Sequence, residues 1–594
     1  MAFLRNLLAS ILGFFIASGF VFLFFLIIIS FTSASSEKET LIVKDNSILE
    51  LDLTKPINDH GGTYNFPGME YFNYDDHSGL YDILNAIEYA KTDDKIKGIS
   101  IKNSKDLQGG IATTKAIRDA LADFKSNGKF IYSYGDNYTQ KEYYLSSVAD
   151  SVFLNPVGNL ELKGLGAEIL FYKDFQDQTG IKLEVIRHGK YKSAVEPYLQ
   201  NSMSDANREQ MTELLNSVWT TISEDIANSR NIALENLNTI TDNLAARTAT
   251  LAVKNHIIDN AYYHDQYIDL LKKVTETSTD DDLEYVNIYD YADQVATKLF
   301  LNPNPGKIAI IFAQGEIMYG EGSNTIIGQD IMIKALKEAR EDDDIEGVIL
   351  RVNSPGGSAL ASDIIWREVE LTENVKPVYV SMGNYAASGG YYISCSAEKI
   401  FAEPNTITGS IGVFGILPNI KELANKWGIH SEQIGTHKAS NGYSLFNGLT
   451  ENKRAEVKEG IETFYNNFVS KVAEGRHMTF DEVDAVARGR VWSGNDALKK
   501  GLVDEIGGLK ETIEALATDK NITDYSIVTY PEYDGDINDL IRRFSNESAS
   551  LSLSTEEQLK KELGTETYEI LKKLNTLQQA KGIQARLPFE IEIQ

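Results

Sequence analysis

One apolar run stands out from every other pattern in the chain. From Leu7 to Phe31, about 25 residues pass without a charged side chain. At 1.5 Å per residue, a helix of that length crosses a bilayer core of roughly 30 Å with some tilt, so the pattern predicts one transmembrane helix over 7–31. A cleaved signal peptide is the competing reading, although its apolar region normally covers about 7–15 residues. Arg5 precedes the run and acidic sequence follows it. By the positive-inside tendency, residues 1–6 are expected on the cytoplasmic side and the body on the other. No later segment matches the run in length and purity, so a single-pass anchor, a linker over 32–46 and a large body beside the membrane are expected.

The body has a different rhythm. Short β-branched runs such as Val348–Val352 and Val378–Ser381 have the look of buried strands, while Gln329–Arg340 and Ala455–Ala473 carry helical periodicity. That alternation predicts an α/β fold with largely parallel strands. Residues 535–580 suggest charged helix with polar breaks, and the tail Leu587–Gln594 carries no pattern.

The pattern also occurs twice. Asp93-Asp94-Lys95-Ile96-Lys97-Gly98-Ile99 returns as Asp343-Asp344-Ile345-Glu346-Gly347-Val348-Ile349, and Gly109-Gly110 corresponds to Gly356-Gly357. Tyr143-Tyr144 and Tyr391-Tyr392, Pro156 and Pro404, and Gly164 and Gly412 share one spacing of 248. Prolines and asparagines at Leu301–Gly306 break regular structure, so the halves are placed at 47–300 and 301–594.

Composition narrows the function classes. With 57 Lys+Arg against 86 Asp+Glu, the formal charge of −29 would repel phosphate backbones, and nucleic acid is not an expected partner. One cysteine, Cys395, excludes an intrachain disulfide and any Cys-clustered metal site, and in an apolar neighbourhood its thiol would be unreactive.

Candidate chemistry centres on Gly383-Asn384-Tyr385-Ala386-Ala387-Ser388-Gly389-Gly390, which follows an apolar strand and opens a helix. Small neighbours let a substrate backbone approach Ser388, at the positive end of a helix dipole. Asn353-Ser354-Pro355-Gly356-Gly357 leaves further backbone N–H groups bare. The N–H groups of Gly357 and Gly389 could form an oxyanion hole, worth roughly 3–4 kcal/mol for one donor. From glycine content alone, both stretches could equally be tight turns of an α/β fold.

A serine nucleophile needs a base. His188 and His437 occupy corresponding regions of the halves, but neither has an evident acidic partner. Ser396-Ala397-Glu398-Lys399 has S-x-x-K spacing without the companion motifs, and no G-x-S-x-G elbow, Walker-A loop or H-E-x-x-H occurs. The repeat is more informative. At a spacing of 248, Ser388 corresponds to Gln140 and Lys192 to Ser440, so serine and lysine are each missing from the other copy. Two degenerate copies sharing one composite site would look like this. A surface lysine among polar neighbours is the ordinary alternative, and Lys190 and Lys438 remain rival bases because a one-residue gap would change the correspondence.

Together these residues resemble the signal peptide peptidases of the protease IV type, in the long form with tandem halves. The resemblance rests on the anchor, on Tyr-Lys-Ser-Ala-Val-Glu-Pro at 191–197, Asn-Ser-Pro-Gly-Gly at 353–357, Tyr-Ala-Ala-Ser-Gly-Gly at 385–390, and Thr408-Gly409-Ser410-Ile411-Gly412. It implies a Ser/Lys dyad with Ser388 as nucleophile, Lys192 as general base and Ser410 hydrogen-bonding the lysine amine. It also implies tandem Clp-protease-like or crotonase-like domains and a bowl-shaped homotetramer. The implied location is the inner membrane, with the body on the extracytoplasmic, periplasmic side. The substrates it brings are apolar remnants of signal peptides, and the chemistry requires no metal or organic cofactor. Two other classes stay open: a crotonase-like acyl-thioester enzyme, using the same N–H groups without Lys192, and a catalytically silent membrane scaffold.

Overall fold

The strand Gly306–Gln314 shows how the body is assembled. Ala309, Ile311 and Ala313 enter one apolar core while Ile308, Ile310 and Phe312 enter another. Successive side chains of a strand point to opposite faces, so a strand with the unbroken apolar run Ile308–Ala313 has to be covered on both. The neighbouring strand Ile345–Ser354 divides the same way, with Val348, Leu350 and Val352 against Ile349. Helices Gln329–Glu341 and Ala359–Glu373 supply Met332, Leu336, Ile365 and Val369 to the first core, and helix Leu509–Asp519 supplies Leu516 to the second.

The computed structural model describes residues 41–65, 73–103, 107–301, 304, 306–534 and 584–586, with Gly13 and Gly19. Apart from those two glycines, the apolar run 7–31 lies outside the described residues, as do the expected helical stretch within 535–580 and the tail from Leu587. No helix among the described residues is long and apolar enough to cross a membrane.

Two parallel sheets carry the repeat. The first runs in the order Asn260–Ala261, Ser151–Leu154, Phe130–Gly135, Ile96–Asn103, Ser47–Leu51, Tyr285–Asn287. The second follows the same path through Glu505–Ile506, Lys399–Ala402, Val378–Ala387, Ile345–Ser354, Gly306–Gln314 and Tyr525–Tyr530. Phe130 and Val378, like Ser151 and Lys399, keep the spacing of 248 read from the sequence. Helices Ile111–Ser126 and Ala359–Glu373 begin 248 apart as well, so Gly109 falls opposite Gly357, one residue from the sequence pairing. The second sheet has an added branch, in which Ile407–Gly409 pairs parallel with Tyr385–Ala387 and antiparallel with Val491–Ser493.

A third, mixed sheet crosses between the halves. Its order is Ile326–Gly328, Glu316–Met318, Gly356–Ser358, Gln584–Arg586, Phe414–Asn419 and Lys182–Arg187. The last two strands pair antiparallel from Phe414↔Arg187 to Asn419↔Lys182, so an arm of the first half is hydrogen-bonded along its length to the second.

The halves also share buried polar contacts. Asp59 and Arg351 are each 2% exposed in their side chains and lie 2.7 Å apart, and Asn353 Nδ2 donates to the other Asp59 oxygen. Arg351 donates further to Ser381 Oγ and Met382 O. Removing one partner of a buried ion pair leaves the other uncompensated. Asp59→Ala is therefore expected to lower unfolding stability by about 3–5 kcal/mol, read from denaturant titration. A change under about 1 kcal/mol would show that water replaces the carboxylate.

Candidate active site

Ser388 stands where strand Val378–Ala387 gives way to the short helix Gly389–Ser394. Its backbone sits at φ 57° and ψ −111°, a region that a residue with a Cβ rarely adopts. Three contacts hold it there: Ser388 N donates to Gly409 O at 2.8 Å, Tyr392 N donates to Ser388 O at 2.8 Å, and the strand is hydrogen-bonded on both sides. Strain maintained by surrounding structure is a common property of reacting positions. The side chain is fully buried.

Lys192 arrives from the other half. The arm Lys182–Arg187 delivers it, His188 N donates to Val413 O, Tyr191 N donates to Arg488 O, and Arg187 Nη1 donates to the Lys192 carbonyl. The approach is close enough to demand glycine opposite. A Cβ on Gly489, where φ is +84°, would lie 2.6 Å from the Lys192 backbone nitrogen. Gly489→Ala is accordingly expected to push Lys192 off its position and reduce kcat by about 10²-fold, since misplacement of about 1 Å can cost that much. An unaltered kcat would mean that the backbone absorbs the methyl elsewhere.

The two side chains meet. Lys192 Nζ lies 2.8 Å from Ser388 Oγ, 2.9 Å from Ser410 Oγ and 3.0 Å from Ser410 O. Lys192 is 0% exposed, and this burial holds its amine well below the ordinary lysine range, because desolvation disfavours the ammonium. In its neutral form the amine donates its two protons to the Ser410 oxygens and presents its lone pair to the Ser388 hydroxyl. Ser410 is itself held at φ 50°, with its N–H donating to Arg490 O at 2.7 Å.

The profile of Peptidase family S49 matches residues 123–278 and 370–523, one stretch in each half. The chain belongs to peptidase family S49. Protease 4 of Haemophilus influenzae is 34% identical over 520 residues, covering 84% of this chain and 82% of that one. Protease 4 of Salmonella typhi is 34% identical over 449 residues, covering 74% and 72%. A solved ClpP1 mutant from Listeria monocytogenes covers 34% of this chain and 94% of its own, at 18% identity and a TM-score of 0.23. This S49 chain is a serine peptidase with tandem α/β domains.

The other sequence candidates of this S49 peptidase fall as follows. Gly389 directly follows Ser388, and Gly357 lies in the short strand Gly356–Ser358, paired with Ile317 and Ala585. His188 Nδ1 contacts Glu462 at 2.7 Å and its ring stacks on Tyr465, while His437 and Lys438 sit in an exposed loop. Lys190 places its amine over the Tyr191 ring. Burial pushes the Cys395 thiol up to about 12. Gln140, at the position corresponding to Ser388, accepts from the N–H groups of Lys163 and Gly164 and donates to Gly164 O. Gly164 is the counterpart of Gly412, whose carbonyl lies 3.5 Å from Ser388 Oγ. The first half thus uses the position corresponding to Ser388 as a tie for its own loop. Gly489 and the strand Gln584–Arg586 are not among the candidates that the sequence offers. A lone glycine beside Arg488 was the only available signal for the former, and the latter had none.

Proposed function

We propose that the protein is a membrane-anchored endopeptidase with a Ser/Lys dyad formed across its two halves. The buried Lys192 amine, 2.8 Å from the Ser388 hydroxyl, is the observation that carries this reading. In it, neutral Nζ takes the Ser388 proton as Oγ attacks a peptide carbonyl. Ser410 keeps the lone pair aimed, and the N–H groups of Gly357 and Gly389 stabilise the developing oxyanion. Nζ then returns the proton to the leaving amine, and water hydrolyses the acyl-enzyme. An acyl-thioester enzyme would need the N–H groups but not the amine, and burying a lysine without using it would be costly.

The reading extends to place and substrate. Residues 7–31 anchor the chain, 1–6 remain cytoplasmic, 32–46 link, and the halves 47–300 and 301–594 lie on the extracytoplasmic side of the inner membrane. Substrates are apolar peptides such as released signal peptides, met at the membrane. Assembly as a homotetramer is supported by exposed apolar side chains in the segments that flank the paired arms in sequence, among them Phe175, Ile181, Trp427, Ile429 and Ile434. The test uses the full chain in detergent with a synthetic signal peptide and a polar peptide of equal length. Cleavage within the apolar stretch, at a kcat/KM at least about tenfold above the polar peptide, is the expected result, since each 1.4 kcal/mol of apolar contact is worth tenfold. Equal rates would reject the substrate assignment.

A further inference from the structure

The carboxyl edge of the second parallel sheet holds a cavity that the dyad does not use. Strands Gly306–Gln314, Ile345–Ser354 and Val378–Ala387 are neighbours in that sheet, and Ser388 directly follows the last of them. All three contribute to a cavity of about 290 Å³, through Gln314, Asn353 with the adjoining Pro355, and Tyr385. In open α/β sheets, ligands bind in the crevice outside the carboxyl ends of the strands. The first half closes one wall of this crevice with Ile57, Asn58 and Asp59.

The surface of the cavity is mostly apolar. Among the described residues, Asp59 is the one carboxylate on its wall, and no lysine, arginine or histidine lines it. The Asp59 side chain is 2% exposed and is committed to Arg351 and Asn353, so it offers no free charge to an occupant. A charged group entering here would lose its water without gaining a partner, which is costly.

We infer that this cavity is a substrate subsite on the leaving side of the cleaved bond, taking a large uncharged side chain two or three residues beyond it. The inference rests on the Ser/Lys endopeptidase reading. A peptide lying antiparallel to Gly356–Ser358, the polarity in which that edge pairs, runs from Ser358 toward Pro355. Residues past the attacked carbonyl therefore emerge on the Pro355 side. The main chain has little to offer them there, because Pro355 lacks an N–H and Gly356 N donates to Ser354 Oγ at 3.1 Å. Recognition then falls to a side-chain pocket. The distance agrees: neighbouring strands lie about 4.8 Å apart and an extended peptide advances about 3.3 Å per residue, so passing from Ser388 to the end of Gly306–Gln314 takes about three residues.

The test uses the full chain in detergent and three peptides that are identical up to the first residue after the cleaved bond. At the next two positions they carry Phe, Ala or Asp. Rates are referred to active sites counted from the burst of a nitrophenyl ester, which has no residues on the leaving side, and mass spectrometry fixes the bond cut. The expected result is a kcat/KM for the Phe peptide at least about tenfold above the Ala and Asp peptides, the discrimination an apolar pocket can supply. Filling the cavity from its exposed rim by Thr325→Trp, or from the first-half wall by Asn58→Trp, should lower the Phe-to-Ala ratio below about threefold. Equal kcat/KM for the Phe and Ala peptides overturns the inference. So does an Asp peptide cut as fast as the Phe peptide, or an undiminished ratio in either filled variant. Failure of the Ser/Lys reading shows separately, as an ester burst that persists in Ser388→Ala.

Discussion

Ser388→Ala is expected to abolish peptide hydrolysis, with a loss in kcat on the order of 10⁴–10⁶-fold, the range seen when a serine peptidase loses a nucleophile that works as a unit with its base. The fold should survive. The Oγ atom meets the Lys192 amine at 2.8 Å and the Gly412 carbonyl at 3.5 Å, and the amine keeps both Ser410 oxygens after the change. Alanine also retains the Cβ of serine, so the backbone at φ 57° is no more strained than before. The melting temperature should therefore stay within a few degrees of wild type, because a change under about 1 kcal/mol moves it no further in a chain of this size. Hydrolysis that persists at more than a hundredth of the original rate would show that another group attacks the carbonyl.

Much of this site is legible in the sequence, for local reasons. The strand into Ser388 opens on the buried run Val378-Tyr379-Val380 and closes on Ala386-Ala387, and the small residues after it admit a backbone at positive φ. The duplication was readable because both copies kept their turn glycines and tyrosine pairs at one spacing. That spacing also brought out Lys192 and Ser388, each present in one copy and replaced in the other. What escaped was non-local. Gly109-Gly110 was aligned one residue out, which only the shared helix starts at Ile111 and Ala359 correct. The strand Gln584–Arg586 has no apolar alternation of its own. It is a strand only because Gly356–Ser358 and Phe414–Asn419 offer it two edges from far along the chain. Gly489 escaped for a related reason, since its need to be glycine arises from the Lys192 backbone, which lies in the other half.

Lys192→Met should separate the chemistry of the amine from its contribution to the fold. On the reaction side, removing a general base is expected to lower kcat by about 10²–10⁴-fold. The pH dependence is more diagnostic. Burial holds the Lys192 amine well below its ordinary range, so wild-type kcat/KM should rise with pH and reach its plateau below about 10.4, where an exposed lysine would still be half protonated. Stability follows from the same depression. Between the folded and unfolded pKa values the unfolded lysine binds a proton that the folded one does not, so unfolding free energy rises with pH there by about 1.4 kcal/mol per unit. The gain is complete above the unfolded value near 10.4 and is lost as pH falls through the folded value. Methionine has no proton to bind, and Lys192→Met should lack that rise while staying folded at neutral pH. Arginine is no substitute, because its guanidinium cannot be discharged and would be buried as a cation. Denaturant titrations of wild type and Lys192→Met across pH 7–10 read the difference directly. Parallel pH curves for the two proteins would mean that Lys192 is charged in the fold, and a charged amine cannot take the Ser388 proton.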